Sequence, residues 1–141
     1  MDLGREQKVN VGGKVWTLGR LTVEAILNFR DWIEAQVGDP FADLAIWADR
    51  LPPDLWKEEY ARCRLVRDQL RQFSLASDLA KKYLATEVGL AVLFCELLKP
   101  YHPEATPTDG LAMVMALGGR AGETLARAMG QMGNVGAPDE P

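Results

Sequence analysis

The sequence predicts a mainly α fold: about five to six helices in one bundle-like domain with a small N-terminal β-hairpin. Three observations carry this expectation. Apolar residues recur at three- and four-residue intervals along most of the chain, prolines and glycines punctuate those runs, and a Gly-Gly pair near the start separates two alternating stretches. In Lys8-Val9-Asn10-Val11-Gly12-Gly13-Lys14-Val15-Trp16-Thr17-Leu18 the glycines supply the positive φ that a two-residue primed turn needs, so the hairpin spans 8–18. A lone hairpin is marginal in water and must lie against helices. Thr22 offers the cap of a first helix, with Ile26, Phe29, Ile33 and Val37 on one face and Gly38 ending it. Asp39-Pro40 reads as cap and first residue of a second helix, whose face carries Phe41, Leu44, Trp47, Ala48 and Leu51 before Pro52-Pro53. The third helix starts at Pro53-Asp54 and sets Trp56, Tyr60, Cys63, Val66, Leu70 and Phe73 on one stripe. Its opposite face is charged, with Glu58–Arg62 and Arg64–Asp68 as i,i+4 pairs.

After a short break at residues 74–77, apolar positions run from Leu79 through Tyr83, Val88, Ala91 and Cys95 to Leu98, and Pro100 stops them. Beyond Val88 the apolar residues surround the helix, which makes it the central, most buried element. Thr108 or Asp109 is expected to cap a fifth helix with Leu111, Val114 and Met115, and Gly118-Gly119 divides it from a sixth with Leu125 and Met129. The whole reads as a single helical domain over 1–132, followed by a disordered tail at 133–141 that has no apolar period.

Length and charge narrow the function. A chain of 141 residues suits one hydrophobic core, and a net charge of −4 supplies no basic field for nucleic acid. The longest apolar run, residues 88–98, is interrupted by Glu96 and falls well short of the roughly 18–20 residues that span a bilayer. The first residues lack the apolar stretch of a signal peptide, which points to a reducing cytoplasm with Cys63 and Cys95 as free thiols.

Catalytic signals are sparse. His102 is the only histidine, so no multi-histidine metal site exists, and we expect no cofactor and no enzyme activity. Its place between Tyr101 and Pro103 suits a loop residue that helps cap the preceding helix. Cys95 or Cys63 with His102 would make a nucleophilic pair, but both cysteines fall on apolar helix faces, where a thiol is usually inert packing. Glu96 interrupts an apolar helix and must be paired or protonated there. A general acid would look like this, but the favoured reading is a structural carboxylate pairing with Lys99 three residues on or with an arginine of a neighbouring helix. The glycine-rich 118–124 segment lacks the G-K-[ST] ending of a phosphate loop and follows a helix, so it reads as a helix-to-helix turn.

Two surfaces remain as candidates for binding another protein. Met113, Met115, Met129 and Met132 gather in the last two helices, where with Leu125 they either form an adaptable apolar set of the kind that accepts varied partners or fill a core beside alanines and glycines. Alternatively, Arg64, Arg67 and Arg71 lie along one stripe of the third helix, interleaved with Asp68 and without aromatic neighbours for base stacking, which favours an acidic protein over nucleic acid.

The run Leu93-Phe94-Cys95-Glu96-Leu97-Leu98-Lys99-Pro100-Tyr101-His102-Pro103-Glu104-Ala105-Thr106, an apolar helix followed by H-P-E-x-T and a capped short helix, resembles a segment of small phage tail assembly chaperones. The opening hairpin followed by Leu21-Thr22 and a helix is similar to the start of such tail proteins. This resemblance implies a mostly helical, non-enzymatic protein in the cytoplasm of an infected or lysogenic bacterial host. It would bind the tape-measure protein during tail assembly, keep it soluble and help recruit tail-tube subunits. It assigns no individual contact residues. Homo-oligomerisation stays open, and so does a different role as a virion structural protein, such as a head–tail connector or tail-completion protein.

Overall fold

The computed structural model describes residues 5–130. Met132 and the expected disordered tail at 133–141 lie outside the described residues. Two strands, β1 (Gln7–Val11) and β2 (Lys14–Leu18), form an antiparallel hairpin with Val9 opposite Trp16 and Val11 opposite Lys14. The turn uses glycine as expected: φ is +60° at Gly12 and +84° at Gly13, and the side chain of Asn10 accepts a hydrogen bond from the Gly13 N–H.

Seven α-helical segments follow: α1 (Val23–Val37), α2 (Ala42–Trp47), α3 (Pro53–Arg71), α4 (Asp78–Leu84), α5 (Glu87–Leu98), α6 (Pro107–Leu117) and α7 (Ala121–Met129). Short 3-10 turns at Ala48–Arg50 and Gly118–Arg120 end α2 and lead into α7. The Thr22 hydroxyl accepts from the Ala25 N–H and starts α1, and Gly38, at φ +68°, ends it.

Three boundaries differ from the sequence expectation. The apolar run from Leu79 to Leu98 is two helices, because the Thr86 hydroxyl accepts from the Gly89 N–H and opens a new helix at Glu87. A cap is a local polar event, and the apolar spacing continues across it undisturbed. The cap of α6 is Thr106, with Asp109 as its reciprocal capping-box partner and Pro107 in the first turn, so neither Thr108 nor Asp109 holds the cap position. Asp39 accepts from the Phe41 N–H in a turn that precedes α2, and the helix itself begins at Ala42.

The core is built around α5. Leu93, Phe94, Leu97 and Leu98 are fully buried there and meet Phe29 and Ile33 of α1, Leu79 of α4, Met113 of α6 and Leu18 of β2 in one cluster. The most extensive helix pair is α5 with α6. Gly110 makes it possible: a Cβ at that position would sit 2.0 Å from the carbonyl oxygen of Ala91, so the two backbones lie almost in contact. Glu96 is buried among these residues and paired with Lys99, one of the partners its position in the sequence offers. That bond holds the Lys99 ammonium above the ordinary lysine range. The pair's contribution is therefore complete below the ordinary lysine pKa and is lost as the pH rises through the raised value.

The helices α2 and α3 form an arm at the side of this core. The C-terminal end of α3 joins the main cluster through Leu70 and Val66, but Leu44 and Cys63 are buried outside it. They belong to a small satellite core of the arm, where Tyr60 lies against Phe41 and Trp56 with ring centroids 5.4 and 5.2 Å away.

Candidate partner-binding site

His102 holds the amino-terminal hairpin to the core. Its backbone N–H donates to Leu98 O at 2.7 Å and finishes α5, the capping role its sequence position implied. Its side chain does something the sequence did not announce: Nε2 accepts from the Thr17 N–H of β2 at 3.0 Å, and the ring lies 4.7 Å from that of Trp16. One residue past the strand, the Gly19 N–H donates to Leu97 O at 2.8 Å. The imidazole is thus engaged in joining two segments 85 residues apart. His102→Ala is expected to cost about 1–3 kcal/mol, since Thr17 loses its acceptor. Amide exchange should then accelerate at Thr17 and far less at Phe94; unchanged protection at Thr17 would contradict the role.

The cysteines are free and buried. Burial pushes the Cys95 thiol above its ordinary pKa, and its Sγ–H donates to Ala105 O at 3.5 Å, which is packing chemistry. At pH 8 the folded protein is expected to react slowly with a thiol reagent and the unfolded chain at once. A native thiol titrating in the first seconds would overturn this. Among the described residues no group of His, Cys, Asp and Glu is placed to hold a metal ion, and no helix is long and apolar enough to cross a membrane.

The methionine set is divided by the fold. Met113 is 1% exposed and Leu125 8% exposed, and both belong to the main core. Met129 is half-buried against that core, and Met115, 70% exposed, stands alone on the outer face of α6. The four described members therefore make no continuous surface, because the α5–α6 interface draws Met113 inward while Met115, two residues on, points the other way. A Met129→Asp variant would charge a residue that touches the core, which makes it a poor probe of binding.

The arginine stripe lies on the outer side of α3, but acids partly occupy it. Asp68 lies 4.0 Å from Arg64 Nε and 3.9 Å from Arg67 Nε, and the Arg67 guanidinium sits over the Phe41 ring at 5.1 Å. Arg62 pairs with Glu59 at 2.7 Å, three residues back, in place of Glu58. The exposed Arg62–Glu59 and Arg64–Asp68 pairs are worth less than about 1 kcal/mol each, while Arg67 is half-buried against Phe41.

The arm offers a surface that periodicity concealed. Ile46 is 68% exposed and Trp47 49% exposed, with Leu55 and Leu65 also open to solvent. Between α2 and α3 runs an open groove of about 240 Å³, floored by Leu44 and Cys63 and walled by Trp47, Leu51 and Leu55. The sequence placed Trp47 on a buried face, and its spacing is indeed that of the apolar side of α2. The arm simply has too little mass to cover it. No protein-family model, curated protein or solved structure matches this chain.

Proposed function

We propose that this chain is a non-enzymatic binding protein that acts as a phage tail assembly chaperone for the tape-measure protein in the host cytoplasm. The observation that carries the binding role is the uncovered apolar face of the α2–α3 arm. Exposed apolar side chains are ordinary when scattered, but here Trp47 and Leu55, both open to solvent, line one groove of the two-helix arm beside the main core. A face of this kind suits recognition of an amphipathic helix. The tail-assembly identity is supported by the resemblance of residues 9–22 and 93–106. These two segments meet in space through Thr17–His102 and Gly19–Leu97, so the resembling stretches form one structural unit.

Co-expression with a tape-measure fragment tests the reading. A soluble complex that co-purifies, together with the absence of this chain from finished particles, is the expected result. Recovery of the chain in purified particles at stoichiometric amounts would favour a connector or tail-completion role instead. Failure of any fragment to co-purify would overturn the chaperone role.

A further inference from the structure

The groove of the arm carries charge as well as apolar surface. Asp43 and Glu59 both line it, against the single cation Arg62, and Arg62 is already bonded to Glu59 at 2.7 Å. Asp43 is exposed beside this pair and acts on Arg62 through its charge. The polar part of the groove is therefore net acidic, with two carboxylates against one guanidinium. At about 240 Å³ the apolar part is smaller than the roughly 300–1,000 Å³ of pockets that enclose small molecules, but it suits one or two large side chains of a peptide. Helices bound the groove on both sides. An incoming segment finds no strand edge to extend, so it must satisfy its own backbone hydrogen bonds, as a helix does.

We propose that the α2–α3 groove binds an amphipathic helix of a partner protein, seating apolar side chains against Trp47 and Leu55 and placing a lysine or arginine of that helix beside Asp43. This deepens the binding reading above by naming the chemistry of the partner segment, and it rests on that reading for the site. Charge complementarity decides the occupant. A groove-to-groove contact with a second copy would set acidic lining against acidic lining, whereas a basic amphipathic helix neutralises Asp43. Trp47 is the anchor to expect, since large half-exposed aromatics beside a pocket dominate interface energetics.

The test uses the full chain and labelled synthetic 18-residue helical peptides with leucine at i, i+3, i+4 and i+7. Three versions carry lysine, glutamine or glutamate beside the leucine stripe. Fluorescence anisotropy should show the lysine peptide binding at least about tenfold more tightly than the glutamate peptide. Trp47→Ala and Leu55→Ala should each weaken the lysine peptide by about tenfold or more, with circular dichroism confirming that both variants fold. Asp43→Asn should weaken the lysine peptide by several-fold and leave the glutamine peptide unchanged, a split that loss of structure would not produce. Equal affinity for all three peptides, no binding of the lysine peptide, or indifference to Trp47→Ala and Leu55→Ala would overturn the proposal. A sedimenting dimer that Trp47→Ala dissociates would do the same, by giving the groove to a second copy. A tape-measure fragment that binds the parent and Trp47→Ala equally would defeat the groove and spare the chaperone role. Binding of the lysine peptide in the groove without any binding of that fragment would defeat the chaperone role and spare the groove.

Discussion

Gly110→Ala is expected to destabilise the protein by about 3 kcal/mol or more, the reverse of what this exchange usually does inside a helix. Replacing glycine by alanine in a helix interior ordinarily gains roughly 1 kcal/mol, because the unfolded chain loses conformational freedom. Here the added Cβ would lie 2.0 Å from Ala91 O, 2.9 Å from Ala91 C and 3.1 Å from Cys95 N. All three contacts are backbone atoms of α5, so no rotamer change relieves them. The helices must separate, and separation opens the interface that buries Met113 and Val114. Overpacking that a flexible side chain absorbs costs about 1–3 kcal/mol, and a clash of two backbones belongs at the upper end or beyond it. Urea melts of parent and variant check this. A variant as stable as the parent would mean that α5 and α6 are not in close contact at this point. Gly122, where an added Cβ meets nothing within 4 Å, serves as the control for the same exchange.

The second large effect is expected for Phe94→Ala, at about 3–5 kcal/mol. Phe94 is fully buried in the middle of α5, among the largest side chains with no solvent contact. Its removal leaves a cavity walled by rigid helices that collapse only in part, so the loss includes both the transfer of the ring and the void. Met115→Ala, on the exposed outer face of α6, should stay within about 0.5 kcal/mol. Comparable midpoints for these two variants would contradict the central place of α5.

Local chemistry made much of this legible in the sequence. The Gly-Gly turn, the start of α3 at Pro53, the apolar stripe of that helix and the Glu96–Lys99 pair are decided by residues a few positions apart. What stayed hidden depends on distant residues. The contact of Gly110 with Ala91 joins two helices, and the acceptor for the Thr17 N–H lies 85 residues away. The division of the methionines needed the relative rotation of α5 and α6. The break before α5 was local but silent, since Thr86 changes the backbone without changing the apolar spacing.

The groove was missed for a further reason. Periodicity finds which side of a helix is apolar and does not say whether the fold has anything to put against it. On α1 the apolar side meets α5, and Phe29 and Ile33 disappear into the core. On α2 the corresponding side covers Leu44 and leaves Trp47 half in solvent. The difference between core and binding surface therefore lies in the neighbours of the helix, and a short arm beside a large core has few.

The most direct measurement of the account is a calorimetric titration of a soluble helical tape-measure fragment into the full chain and into Trp47→Ala, Met115→Asp and Arg64→Ala. Saturable binding to the parent is expected, with a loss of about tenfold or more in affinity for Trp47→Ala and near-parent affinity for the other two. Absence of heat with the parent would contradict the chaperone role. Binding that survives Trp47→Ala and disappears in Met115→Asp or Arg64→Ala would move the surface from the groove to α6 or to the arginine stripe.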